Sequence, residues 1–64
     1  MVTINGKACE VAGESLAAYL AQNGYVSARV AVECNGNIIP KAAYAETWLQ
    51  DGDQIEIVSF VGGG

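Results

Sequence analysis

The sequence contains no histidine and only three basic residues in 64. Without histidine, the chain lacks the commonest general base and the commonest metal ligand. The basic residues are outnumbered by seven acidic ones, for a net charge of −4, so they cannot form a basic patch for a nucleic-acid backbone. These absences argue against a self-contained enzyme, against a metal site and against a nucleic-acid partner.

Cysteine is also scarce, and long apolar runs are missing. Cys9 and Cys34 form no CxxC motif, whereas a small secreted domain usually carries several cysteine pairs. We expect both to be reduced, half-buried apolar residues, with a single disulfide as the alternative. No run approaches the ~18 apolar residues of a membrane span, and no signal-peptide pattern opens the chain. We therefore expect a soluble, cytoplasmic monomer with no membrane partner.

What the sequence does have is enough apolar content for one small domain. It is 52% hydrophobic, which favours folding over disorder. A chain this short buries only about 60% of the surface that its unfolded form exposes. Little is left for a deep pocket, so we expect the domain to present a surface or a terminus to a larger partner.

Two Asn-Gly pairs, Asn5-Gly6 and Asn35-Gly36, predict tight hairpins, because a type I′ turn needs positive φ at both central residues. Strand-like segments flank both turns. The predicted strands are Val2–Ile4, Lys7–Val11, Arg29–Cys34 and Ile38–Ile39.

A helix is predicted at about 15–23, because Leu16, Tyr19 and Leu20 form one apolar stripe and Ser15 is a suitable N-cap. Gly24 stands where a glycine should end it. Residues 41–50 predict a helical turn and an irregular packed segment, with Trp48 as a core or edge anchor.

The acidic pair Asp51 and Asp53 frames a turn at Gly52. The last strand is predicted over Gln54–Val58, with Ile55 and Ile57 facing the core. This order of elements predicts an α+β, β-grasp (ubiquitin-like) fold, with a mixed four- to five-stranded sheet and one main helix packed across one face. We expect a single domain at residues 1–58 and a flexible C-terminal tail at 59–64.

The end of that tail, Val61-Gly62-Gly63-Gly64, is the feature that calls for a chemical explanation. Glycine has no Cβ, so such a segment is thin enough to enter a narrow channel and leaves the Gly64 carboxylate unhindered. Six residues reach at most about 20 Å, enough to enter an active site while the domain stays outside. A frayed end or an engineered remnant is the alternative.

The whole chain resembles the ThiS family, the ubiquitin-like sulfur carriers of thiamin biosynthesis. The resemblance rests on four segments: Val2–Gly6, Ala31–Lys41, Trp48 and Asp51–Gly64.

The resemblance implies that a ubiquitin-activating-type adenylyltransferase, using Mg-ATP, would adenylate the Gly64 carboxylate. Sulfur from a desulfurase would then replace AMP to give a thiocarboxylate, which a thiazole synthase would consume. Gly62 and Gly63 would thread the tail. The chain itself would bind no cofactor and would be a substrate rather than an enzyme. A molybdopterin-type carrier and a protein modifier conjugated through Gly64 are the alternatives.

Apolar residues near the tail predict a partner-binding surface made of Ala31, Val58, Phe60 and Val61. The alternative is that Phe60 folds back onto the sheet edge. The acidic residues show no spacing of a metal site or an acid/base pair, so we expect them to be solvated. We also expect Cys9 and Cys34 not to accept sulfur, because neither has a neighbour that would lower its pKa.

Overall fold

A computed structural model describes residues 1–60. Within them, strands β1 (Val2–Ile4) and β2 (Lys7–Cys9) precede helix α1 (Leu16–Gln22). Strands β3 (Val30–Cys34) and β4 (Asn37–Ile39) follow, and β5 (Gln54–Ser59) is the last. Two 3₁₀ helices, Ser27–Arg29 and Lys41–Glu46, lie before β3 and after β4.

The five strands form one mixed sheet in the order β2-β1-β5-β3-β4. β1 and β5 are parallel, and the other neighbours are antiparallel. Leu16 and Leu20 of α1 lie in one core with the inward side chains of the sheet. The predicted β-grasp fold is therefore confirmed. None of the helices found in residues 1–60 is long and apolar enough to cross a membrane.

Both predicted Asn-Gly turns are present. Asn5 and Asn35 adopt φ of 51° and 52°, and the glycines that follow them also have positive φ. The predicted helix is confirmed as well: the Ser15 hydroxyl accepts a hydrogen bond from the Ala18 N–H at 3.1 Å. Gly24, at φ 80°, follows the helix end in the left-handed region that glycine favours.

The segment after β4 begins with the predicted helical turn, but the part expected to be irregular is extended, and Trp48 is not a core residue. Its side chain is 59% exposed, whereas Leu49 is buried. The chain pairs there with the segment before α1: the Leu16 N–H donates to the Thr47 carbonyl and the Leu49 N–H to the Glu14 carbonyl. Extended backbone alternates its side chains, so burying Leu49 turns Trp48 outward.

Strand β5 is central and reaches Ser59, one residue past the predicted strand. The Phe60 N–H still donates to the Arg29 carbonyl at 2.8 Å. Ser59 and Phe60, which the sequence assigned to the tail, are thus hydrogen-bonded beside β3. The other predicted tail residues, 61–64, lie outside the described residues.

The side chain of Asn5 extends the pairing between β1 and β5 past the end of β1. Its Oδ1 accepts from the Ile57 N–H at 2.7 Å, and its Nδ2 donates to the Ile57 carbonyl at 3.2 Å. Asn35 acts similarly at the other hairpin, where its Oδ1 accepts from the Gln54 N–H at 2.9 Å. The two turn asparagines therefore satisfy backbone groups of β5 that no neighbouring strand reaches.

We predict that Asn5→Gly lowers the free energy of unfolding by about 1–2 kcal/mol, because it keeps the turn but loses two hydrogen bonds. Asn5→Ala should cost about 1–2 kcal/mol more, since alanine is strained at positive φ. Urea unfolding measures both changes. An Asn5→Gly protein as stable as the wild type would show that the amide contributes nothing to β5.

Candidate functional site

The face of the sheet that points away from α1, here called the open face, carries exposed apolar side chains near the end of β5. Ile55 and Ile57 are buried in the core, so the alternation along the strand places Val58 outside. Val58 pairs with Ala31 of β3. Val58 and Phe60 are each 57% exposed. The structure thus places Ala31 and Val58 side by side, with Phe60 two residues beyond Val58. The binding role of these residues stays a prediction.

The fourth of these residues, Val61, and the predicted reactive residues Gly62, Gly63 and Gly64 lie outside the described residues. The chain enters them from Phe60, at the end of the central strand. Four extended residues span at most about 14 Å.

An open pocket of about 240 Å³ lies beside Phe60. It is lined by the loop and 3₁₀ helix after α1 and by the end of β5, namely Gly24, Tyr25, Val26, Arg29, Val30, Ser59 and Phe60. Sequence reasoning missed this pocket. No motif marks it, since it exists only because β5 ends next to the segment that leads into β3.

Most of the acidic residues are exposed, as predicted, but one carboxylate oxygen of Glu14 is buried without a hydrogen-bond partner among the described residues. Asp53 lies in the predicted turn, where its carboxylate accepts from the Gln50 N–H at 3.0 Å and from Asn35 Nδ2 at 3.0 Å. Within residues 1–60, no three Cys, Asp, Glu or His side chains are grouped as a metal site requires. Sequence reasoning did not foresee that Glu33 and Glu56 are directly opposite each other on the open face.

Cys9 and Cys34 are free and half-buried against the core. Burial, and secondarily the negative charge of Asp53, raise the pKa of the Cys34 thiol above its ordinary value. A raised pKa lowers the thiolate fraction, and the thiolate is the nucleophile. This argues, as the sequence did, against Cys34 as a sulfur acceptor.

We predict that Cys34 in a Cys9→Ser protein reacts with iodoacetamide more slowly than free cysteine at mildly alkaline pH, and faster once urea unfolds the chain. Because the folded pKa lies above the unfolded one, stability linked to this thiol should be present below the unfolded pKa. It should be lost as the pH rises through the folded pKa. A Cys34→Ser protein, which lacks that thiol, serves as the control. If Cys34 of the Cys9→Ser protein reacts as fast in the folded as in the unfolded state, the raised pKa of its thiol is contradicted.

A solved structure of a similar protein has the same fold as this chain. The crystal structure of a thiamine biosynthesis protein (ThiS) from Geobacter metallireducens superimposes with a TM-score of 0.77 at 31% identity. That similarity covers 98% of this chain and 97% of the other.

Two curated relatives are named thiazole synthase. The protein from Paramagnetospirillum magneticum is 47% identical over 53 residues, and that from Magnetococcus marinus is 42% identical over 53 residues. Each match covers 83% of this chain but 16% of the relative, so the chain spans about one sixth of their length. The model of the ThiS family matches residues 2–64. With nearly its whole length matched, this chain belongs to the ThiS family.

Proposed function

We propose that this protein carries sulfur for thiazole formation in thiamin biosynthesis, as a thiocarboxylate on Gly64. The observation that carries the proposal is the family match, which extends through the glycine end of the chain. The geometry is compatible with it, because the central strand leads into that end beside an exposed apolar face. In this role the chain is a substrate that holds the sulfur covalently, and its partner enzymes supply the catalysis.

A carboxylate is a poor electrophile, so the first step must give it a leaving group. In the proposed sequence, an adenylyltransferase of the ubiquitin-activating type lets the Gly64 carboxylate attack the α-phosphorus of ATP, releasing pyrophosphate. A persulfide supplied through a desulfurase then attacks the acyl carbon and displaces AMP, which gives an acyl disulfide. A thiol cleaves its S–S bond, leaving the thiocarboxylate and forming a disulfide with the donor's sulfur. The sulfur stays attached to a protein and is never released as free sulfide. ATP is bound and used by the partner, not by this chain.

The final acceptor in this proposal is a thiazole synthase. Support comes from the two relatives of that name, in which a segment similar to this chain is part of one longer polypeptide. A covalent link of that kind raises the effective concentration of two modules for each other. ATP and reduced thiols are both needed, so we expect the carrier to work in the cytoplasm.

We predict that intact mass spectrometry, after incubation with ATP, adenylyltransferase and sulfur donor, shows a gain equal to the difference between one sulfur and one oxygen atom. A chain lacking Gly63 and Gly64 should show no gain and no AMP adduct, and should unfold like the wild type, because residues 1–60 are unchanged. Conjugates joined to lysine through Gly64 would instead identify a protein modifier. A thiocarboxylate that molybdopterin synthesis consumes and thiazole synthase does not would identify the other pathway.

We also predict that Phe60→Asp lowers kcat/KM for adenylation roughly tenfold or more, because a charge would face the apolar contact surface of the partner. The side chain is 57% exposed, so the free energy of unfolding should fall by less than about 1 kcal/mol. Trp48→Asp is the matched control, since Trp48 is 59% exposed but lies outside the sheet. Equal kcat/KM for the Phe60→Asp and wild-type proteins would show that Phe60 does not contact the adenylyltransferase.

A further inference from the structure

The pocket of about 240 Å³ lies where the chain leaves the fold, and the proposed chemistry does not use it. Residues 24–26, Arg29 and Val30 line it from the segment that leads into β3. Ser59 and Phe60 line it from the end of β5. The last described residue of the chain is therefore itself part of the pocket.

Arg29 is the only charged residue in the described lining of this pocket. Its side chain is exposed, and within residues 1–60 the single ion pair joins the Met1 amino group to Asp51. Most of the other lining residues are apolar or aromatic, namely Tyr25, Val26, Val30 and Phe60. A guanidinium group binds carboxylates, often through two parallel hydrogen bonds. The pocket therefore suits a slender group that ends in a carboxylate.

The chain's own C-terminal end is such a group and begins beside Arg29. The register that pairs Val30 with Ser59 places Arg29 opposite Phe60, whose N–H donates to the Arg29 carbonyl at 2.8 Å. Residues 61–64 follow, and under the proposed function they end in the free carboxylate of Gly64. Four residues reach up to about 14 Å, and three of them are glycines, which tolerate the φ values of a tight reversal. The Gly64 carboxylate is thus within reach of the Arg29 side chain.

Building on the proposed function, we propose that this pocket is a resting site for the chain's own end, with the Gly64 carboxylate on the Arg29 guanidinium. An exposed ion pair is weak, but a link of four residues gives the two groups a high effective concentration for each other. The free carrier then withholds its reactive carboxylate, and the adenylyltransferase uses the molecules whose tail has been released. A thiocarboxylate keeps the negative charge, so the same site fits the loaded end.

The first test is NMR spectroscopy of the free protein, which needs no partner enzyme. It compares the wild type with a chain of the same length in which a carboxamide replaces the Gly64 carboxylate. Removing this charge should shift the Arg29 Nε–Hε signal and the amide signals of Tyr25 and Val26. NOEs from the Gly64 α-protons to the Tyr25 or Phe60 ring should be present in the wild type and weakened in the carboxamide.

Three variants separate a charge contact from a general effect of the terminus. In Arg29→Gln the signals of Tyr25 and Val26 should no longer respond to the carboxamide, whereas Arg29→Lys should keep part of the response. Lys7→Gln gives the same change of net charge as Arg29→Gln, on the edge strand β2 two strands away from β5. This control should respond like the wild type.

The second test is ATP–pyrophosphate exchange with the purified adenylyltransferase. The proposal expects at least half of the free molecules to hold the tail in the pocket. Arg29→Gln should therefore lower KM about twofold or more and leave kcat unchanged, because the apparent affinity is reduced by the fraction of molecules that cannot bind. Lys7→Gln should keep the wild-type KM.

The remaining outcomes are distinct. If the signals of Tyr25 and Val26 ignore the carboxamide, or if the NOEs are absent, the tail does not occupy the pocket and the sulfur-carrier function still stands. An unchanged or raised KM for Arg29→Gln would also overturn the proposal, since the enzyme would then not compete with the pocket for the tail. Absence of exchange with the wild type would reject the proposed function, and the NMR comparison would still decide whether the pocket holds the tail.

Discussion

The structure depends on the pairing of its last strand with its first. β5 lies parallel to β1 and antiparallel to β3, and so joins the two hairpins into one sheet. Each hairpin is local in sequence, but a two-stranded hairpin is at best marginally stable alone. Inserting β5 between them completes the face on which Leu16 and Leu20 of the helix pack. The segment that closes the fold is therefore the one that leads to the glycine end.

The central position of β5 in the sheet fixes the point at which the C-terminal tail begins. A terminus that leaves an edge strand would move with the fraying of that edge, whereas β5 is hydrogen-bonded on both sides. The Asn5 side chain continues the ladder on one side, to Ile57, and the Arg29 carbonyl accepts from Phe60 on the other. The rigid body thus fixes where the tail starts. Under the proposed function, a partner bound at the open face would have the Gly64 carboxylate within the reach of four residues.

The side chains of β5 alternate between the buried and the open face of the sheet. Ile55 and Ile57 form part of the core, while Glu56 and Val58 face outward and are free to contact a partner. A one-residue shift of register would exchange these roles.

The sequence by itself determined the local elements and singled out the glycine end as the candidate reactive segment. The Asn-Gly pairs, the Ser15 cap and the apolar alternation in Gln54–Val58 act within a few residues, so their outcome follows from backbone sterics and side-chain periodicity. Only the tertiary structure decided which residues lie opposite each other across strands. The exposure of Trp48, the pocket beside Phe60 and the pairing of Glu33 with Glu56 all depend on registers between distant segments. Such registers are set by the packing of the whole core, and no local signal encodes them.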